Sequence, residues 1–135
     1  MTYRVAALIL SVIAGCACDD TATRPSDLVG GTWRLTSWTR TDGQSIVVDN
    51  PERYTIRFEA DGRLGVKSDC NSCGSSYELN GSDLRVGAVA CTRVFCAPPS
   101  LDPAFAEAVG RARTVLLRDG TLVLQGDHGT LQFRP

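Results

Sequence analysis

This 135-residue chain has one histidine, His128, and one lysine, Lys67, and neither charge sign in excess: 14 basic side chains stand against 15 acidic, a formal net charge of −1. Each scarcity removes a class of function. A near-neutral balance offers no basic patch for phosphate backbones, so nucleic acid is not an expected partner. The only histidine lies in Gly126-Asp127-His128-Gly129, which reads as a hairpin turn, and no strand-turn-helix serine motif supplies a nucleophile for it. Phosphate-binding glycine loops and calcium-loop spacings are missing. Asp and Glu are scattered over turns and outward strand positions, where solvation explains them. The chain is therefore read as non-enzymatic, with no catalytic residue, cofactor or metal expected. Apolar runs are short too. Val5 to Ile13, relieved only by Ser11, is too brief to span a bilayer. Internal repeats and low-complexity tracts are absent.

That short run is nevertheless the most specific motif present. Arg4 supplies a positive end, and Ile13-Ala14-Gly15 leads small residues into Cys16, the pattern of a bacterial lipoprotein export signal. Residues 1–15 are expected to be removed, leaving Cys16 as the lipid-bearing first residue. Acyl chains contribute about 0.8 kcal/mol per buried methylene, so a multiply acylated Cys16 holds a domain on a membrane without a spanning helix. The expected location is the bacterial cell envelope, facing the periplasm or the outside. Residues 16–27, polar from Asp19 to Ser26, read as a tether. Residues 28–135 suit one compact domain.

Within that domain apolar residues alternate at period two, the signature of half-buried strands. Trp33 and Leu35 fall on one side of the first run with Ser37, and Arg34, Thr36 and Trp38 on the other. Tyr54, Ile56 and Phe58 alternate with Thr55, Arg57 and Glu59. Further runs cover 64–66, 75–79, 84–89, 114–118, 121–125 and 130–134. Asn80-Gly81 and Asp119-Gly120 separate paired runs, as tight hairpins require. Asp102-Pro103 offers a helix cap and first position, and Phe105, Val109 and Ala112 then recur at helical spacing. The expectation is a mainly β fold: a small, barrel-like, curled antiparallel sheet of about eight strands, with one short helix near 102–112 covering an open side or end. Trp33, Leu35, Tyr54, Ile56, Phe58, Leu64, Val66, Leu122, Leu124, Leu131 and Phe133 form the expected inward set.

Cys70, Cys73, Cys91 and Cys96 admit three readings: a zinc tetrathiolate, a thioredoxin-like redox pair at Cys70-Asn71-Ser72-Cys73, or two structural disulfides. An exported chain meets oxidising surroundings, which disfavours thiolate zinc. A redox motif wants a helix N-terminus beside a βαβ unit, and the surroundings here are strands. Disulfides are expected, with four cysteines allowing three connectivities.

From Leu28 to Arg134 the chain resembles the META domain, or HslJ-like, family of bacterial envelope proteins. The matching elements are Leu28-Val29-Gly30-Gly31-Thr32-Trp33-Arg34-Leu35, Tyr54-Thr55-Ile56-Arg57-Phe58 before an Asp-Gly turn, Asp69-Cys70-Asn71 with Gly74 and Tyr77, Thr92-Arg93-Val94-Phe95-Cys96, the short helix, and Thr130-Leu131-Gln132-Phe133. Asp69 stands where the family commonly has glycine, so a backbone difference is expected there. The resemblance implies a small β-barrel-like fold without established enzymatic activity and an association with envelope stress. It also pairs Cys70 with Cys96, leaving Cys73 for Cys91, a nested arrangement. A bridge across the larger loop contributes about 3 to 4 kcal/mol in the chain-entropy model. Two functions follow as expectations. One is a protein-interaction module whose exposed aromatics are Trp38 and Phe95, Phe95 having the alternative of capping the core. The other is a carrier or sensor holding a small apolar ligand or lipid in the barrel.

Overall fold

The computed structural model describes residues 23–135. A single helical turn, α1 (Pro25–Leu28), precedes β1 (Trp33–Thr39), β2 (Ser45–Val47), β3 (Tyr54–Phe58), β4 (Arg63–Ser68), β5 (Asn71–Asn80), β6 (Asp83–Val86) and β7 (Ala90–Cys91). Helix α2 (Ala104–Gly110) then leads into β8 (Ala112–Arg118), β9 (Thr121–Gly126) and β10 (Gly129–Arg134). Eight strands close a ring in the order β1-β3-β4-β5-β6-β8-β9-β10, and β10 pairs back onto β1. β2 adds to β1 and β7 adds to β5 outside the ring. The named strand pairings are antiparallel. Closure satisfies edges that a curled sheet would otherwise expose.

The expected inward set is buried throughout. α2 completes the interior by placing Phe105 between Tyr54 of β3 and Phe133 of β10, with ring centroids 5.5 Å and 6.2 Å away. Burying a side chain of that size contributes about 1.5–3 kcal/mol. Polar handles of the core aromatics find partners: Trp33 Nε1–H donates to the Leu28 carbonyl at 3.1 Å, and Tyr77 O–H to the Glu59 carbonyl at 2.8 Å. Asp119-Gly120 forms a two-residue hairpin in which both residues have positive φ, the geometry that favours Asp-Gly.

Four local expectations are corrected. Trp38 is not exposed; it is 2 % accessible. β1 pairs Leu35 with Phe133 and Ser37 with Gln132, so Thr36 is an extra residue that shifts the alternation. Trp38 thereby joins the face of Leu35, donates from Nε1 to the His128 carbonyl at 2.8 Å, and lies under the Arg40 guanidinium. The helix expected near 102–112 is present at 104–110, but Asp102 does not cap it: Pro103 precedes the first turn without a side-chain cap. The β5–β6 turn centres on Gly81-Ser82 rather than Asn80-Gly81, since Asn80 pairs with Asp83. Residues 23–27, expected to belong to a tether, are part of the fold. Thr23 is buried, its Oγ1 accepts from Leu117 N–H at 2.9 Å, and Pro25–Leu28 is helical. Residues 1–15, Cys16 and the rest of the expected tether up to 22 lie outside the described residues.

The barrel has two unlike ends. Thr23 and the Asp119-Gly120 hairpin sit at one, where β8 finishes. α2, the start of β5 and the Asp127-His128 hairpin sit at the other.

Candidate functional site

β7 runs antiparallel to β5 with Cys73 directly opposite Cys91. A disulfide joins them with Cα atoms 4.0 Å apart, and a second joins Cys70 to Cys96 with Cα atoms 5.6 Å apart. The pairing is the nested one. It ties up all four sulfurs, which leaves no thiolate here for zinc and no dithiol in Cys70-Asn71-Ser72-Cys73. The segment Thr92–Phe95 is consequently held at both ends.

Asn71 holds the same segment from beneath. It is the first residue of β5, is 2 % accessible, and uses its full amide capacity. Its Nδ2 donates to the Val94 carbonyl at 2.8 Å and to Asp102 Oδ2 at 2.9 Å. Its Oδ1 accepts from Val94 N–H at 2.8 Å and from the Thr92 hydroxyl at 2.9 Å. Asp102 is thus spent on fastening the approach to α2 onto β5, not on the helix terminus.

Asp69 adopts the conformation a glycine would take there, with φ of 58°. Asp tolerates this left-handed region better than most side chains. Its carboxylate receives Arg53 Nε–H at 2.7 Å and Nη2–H at 2.6 Å. Burial pushes that carboxyl up, but hydrogen bonds from Ser100 and Arg53 and the charges of Arg53 and Lys67 outweigh it, so its pKa lies below the ordinary carboxylate value. The turn thus uses the left-handed region that glycine favours, and the carboxylate gives Asp69 a structural partner there.

Outside this scaffold the surface opens into a cleft of about 1100 Å³. It lies where β6 and β8 diverge after their single paired position, Asp83 with Thr114. Val86, Val89 and Cys91 of β7 line it together with Ala106, Glu107 and Gly110 of α2, and Val89 packs against Gly110. Val94 and Phe95 stand at its lip, 60 % and 85 % accessible. Phe95 therefore does not cap the core. Arg93, Arg111, Asp102 and Glu107 place both charge signs around the opening.

Of the residues singled out in the sequence, the structure brings Phe95 and the four cysteines together at this end and removes Trp38 to the core. His128 reaches the cleft as part of its hairpin, while Asp127 beside it pairs with Arg113 at 2.9 Å. Sequence reasoning missed the work of Asn71, Asp102 and the Arg53–Asp69 pair. The only available signal was Asn71 beside Cys70, and a polar residue next to a cysteine does not disclose that it is buried.

Among solved structures, the chain is similar to an NMR structure of a protein from Burkholderia xenovorans, at 23 % identity over 97 % of both chains, with a TM-score of 0.67. A second protein solved by NMR matches at 25 % identity, 83 % of this chain, 94 % of its own and a TM-score of 0.65. A crystal structure of a DUF4847 family protein from Bacteroides vulgatus matches at 14 % identity, 81 % of this chain, 94 % of its own and a TM-score of 0.58. No curated protein matches the chain significantly. The family model of the META domain matches residues 26–135, a span that holds the whole ring of strands, both disulfides and the cleft. This chain belongs to the META domain family.

Proposed function

We propose that this protein is a non-enzymatic lipoprotein of the bacterial envelope, anchored through Cys16, whose META domain docks an apolar side chain of another envelope protein against Val94 and Phe95. The observation that carries the reading is an 85 % accessible phenylalanine on a segment fixed by two disulfides and by Asn71. A large apolar side chain held rigidly in water gains by being covered, and a loop ordered beforehand loses little entropy on binding. A role in envelope stress is the physiological setting we assign to such docking. The carrier reading is less well supported, because Phe105 and the inward strand residues occupy the barrel interior.

Photo-crosslinking in living cells tests the docking reading. A photoreactive phenylalanine analogue in place of Phe95 is expected to give a discrete protein adduct. The same analogue in place of Arg118, exposed at the other barrel end, is expected to give none. Phe95→Ala should lower affinity for the purified adduct partner at least tenfold while thermal stability stays within about 0.5 kcal/mol of the parent, as for other exposed positions. Absence of an adduct specific to position 95 refutes the proposal.

A further inference from the structure

We infer that the Val94–Phe95 face addresses a water-exposed protein segment on the side of the domain away from the membrane holding Cys16, not that membrane itself. The inference rests on the docking and anchoring readings above and adds the direction and kind of partner. Its basis is where the chain enters the fold. Thr23 is pinned by Leu117 N–H near the end of β8, whereas the cleft opens beside Gly110 and Arg111, just before β8 begins. Along the strand, Leu117 and Ala112 are about 17 Å apart at roughly 3.4 Å per residue. Phe95 lines the same cleft as Gly110 and Arg111. The stretch from Cys16 to Ala22 reaches at most about 25 Å fully extended. Because the chain leaves from the far end, the Asp119-Gly120 hairpin lies nearest the point of attachment and the cleft opens at the opposite end of the barrel.

The chemistry of the rim agrees with that direction. A surface made for an anionic bilayer gathers basic residues around its apolar anchor. Here Arg93 and Arg111 share the lining with Asp102 and Glu107, a mixed-charge border suited to a protein interface. β7 contributes to the same opening as an edge strand, paired among the described residues with β5 alone. An extended protein segment can add backbone hydrogen bonds there while placing a side chain against Phe95. A lipid surface cannot.

The test uses the full acylated chain in lipid nanodiscs doped with a gadolinium-chelating headgroup lipid, with amide signals followed by NMR. The expected result is loss of signal at Arg118, Asp119 and Gly120, while Val94, Phe95 and Cys96 keep the intensity they have in undoped discs. Loss confined to Val94–Cys96 overturns the inference and makes the loop a membrane contact. Equal loss at both ends overturns it as well, since the domain then has no fixed direction. Mass spectrometry of the same sample reports acylation at Cys16, and its absence removes the premise. Crosslinking at position 95 is independent of these outcomes, so a failed orientation and a failed docking site give different results.

Discussion

Replacing Asn71 by leucine keeps the approximate size of a buried side chain and deletes four hydrogen bonds at once. Neutral bonds contribute about 0.5–1.5 kcal/mol each and a bond to a carboxylate about 1.5–3 kcal/mol. The plain sum overstates the loss. Thr92 and Val94 are exposed and regain water, while the leucine gains apolar contacts in a site that is 2 % accessible. We expect a net destabilisation of about 2–4 kcal/mol, a fall in Tm of roughly 8–17 °C for a domain of this size. Urea unfolding of the unreduced protein, followed by the fluorescence of Trp33 and Trp38, measures it. The two disulfides still close the segment, so the damage should be local as well as global. Hydrogen exchange at the Val94 amide, which loses its acceptor, should rise more than exchange in β9. A destabilisation under about 0.5 kcal/mol with unchanged exchange at Val94 refutes the account of how the loop is held. If the account is right, the variant should also crosslink less efficiently from position 95 although Phe95 itself is untouched.

Phe105→Ala should cost about 3–5 kcal/mol, because the ring sits fully buried between Tyr54 and Phe133; retention of native stability in a denaturant titration would mean that α2 does not complete the core. Gly129→Ala should cost about 2 kcal/mol or more, since φ there is 104° and a Cβ would run into the Thr39 carbonyl and, at 2.9 Å, Arg40 Cα; a thermal melt matching the parent would contradict the close approach of the β9–β10 hairpin to β1. Asp69 has its pKa lowered in the fold, so its contribution is complete above the unfolded carboxylate value of about 3.9 and is lost as pH falls through the lower folded value. Between about pH 5 and pH 3 the parent should therefore lose more Tm than Asp69→Asn does, and equal losses would remove the Arg53 pair from the acid response.

What could be read from the order of residues was whatever depends on near neighbours. Alternation at period two marked the strands and the inward set, because neighbouring side chains on a strand must leave by opposite faces. Asp119-Gly120 specified its own turn through the φ values it can reach. The apolar run into Ile13-Ala14-Gly15-Cys16 is likewise a local pattern, and the proposed anchoring rests on it without help from the fold. Tertiary structure decided everything that depends on a partner remote in sequence. Thr36 became a bulge only by pairing with β10, and that one extra residue moved Trp38 from the expected surface to the core. Asp102, placed well to cap a helix, was taken by Asn71, 31 residues earlier in the chain. Asp69 could keep a glycine's backbone conformation while its carboxylate was occupied by Arg53. Phe95 and Trp38 both read as exposed aromatics, and burial separated them: a long-range contact is a property of the closed ring, and local sequence carries no record of which strand will arrive opposite.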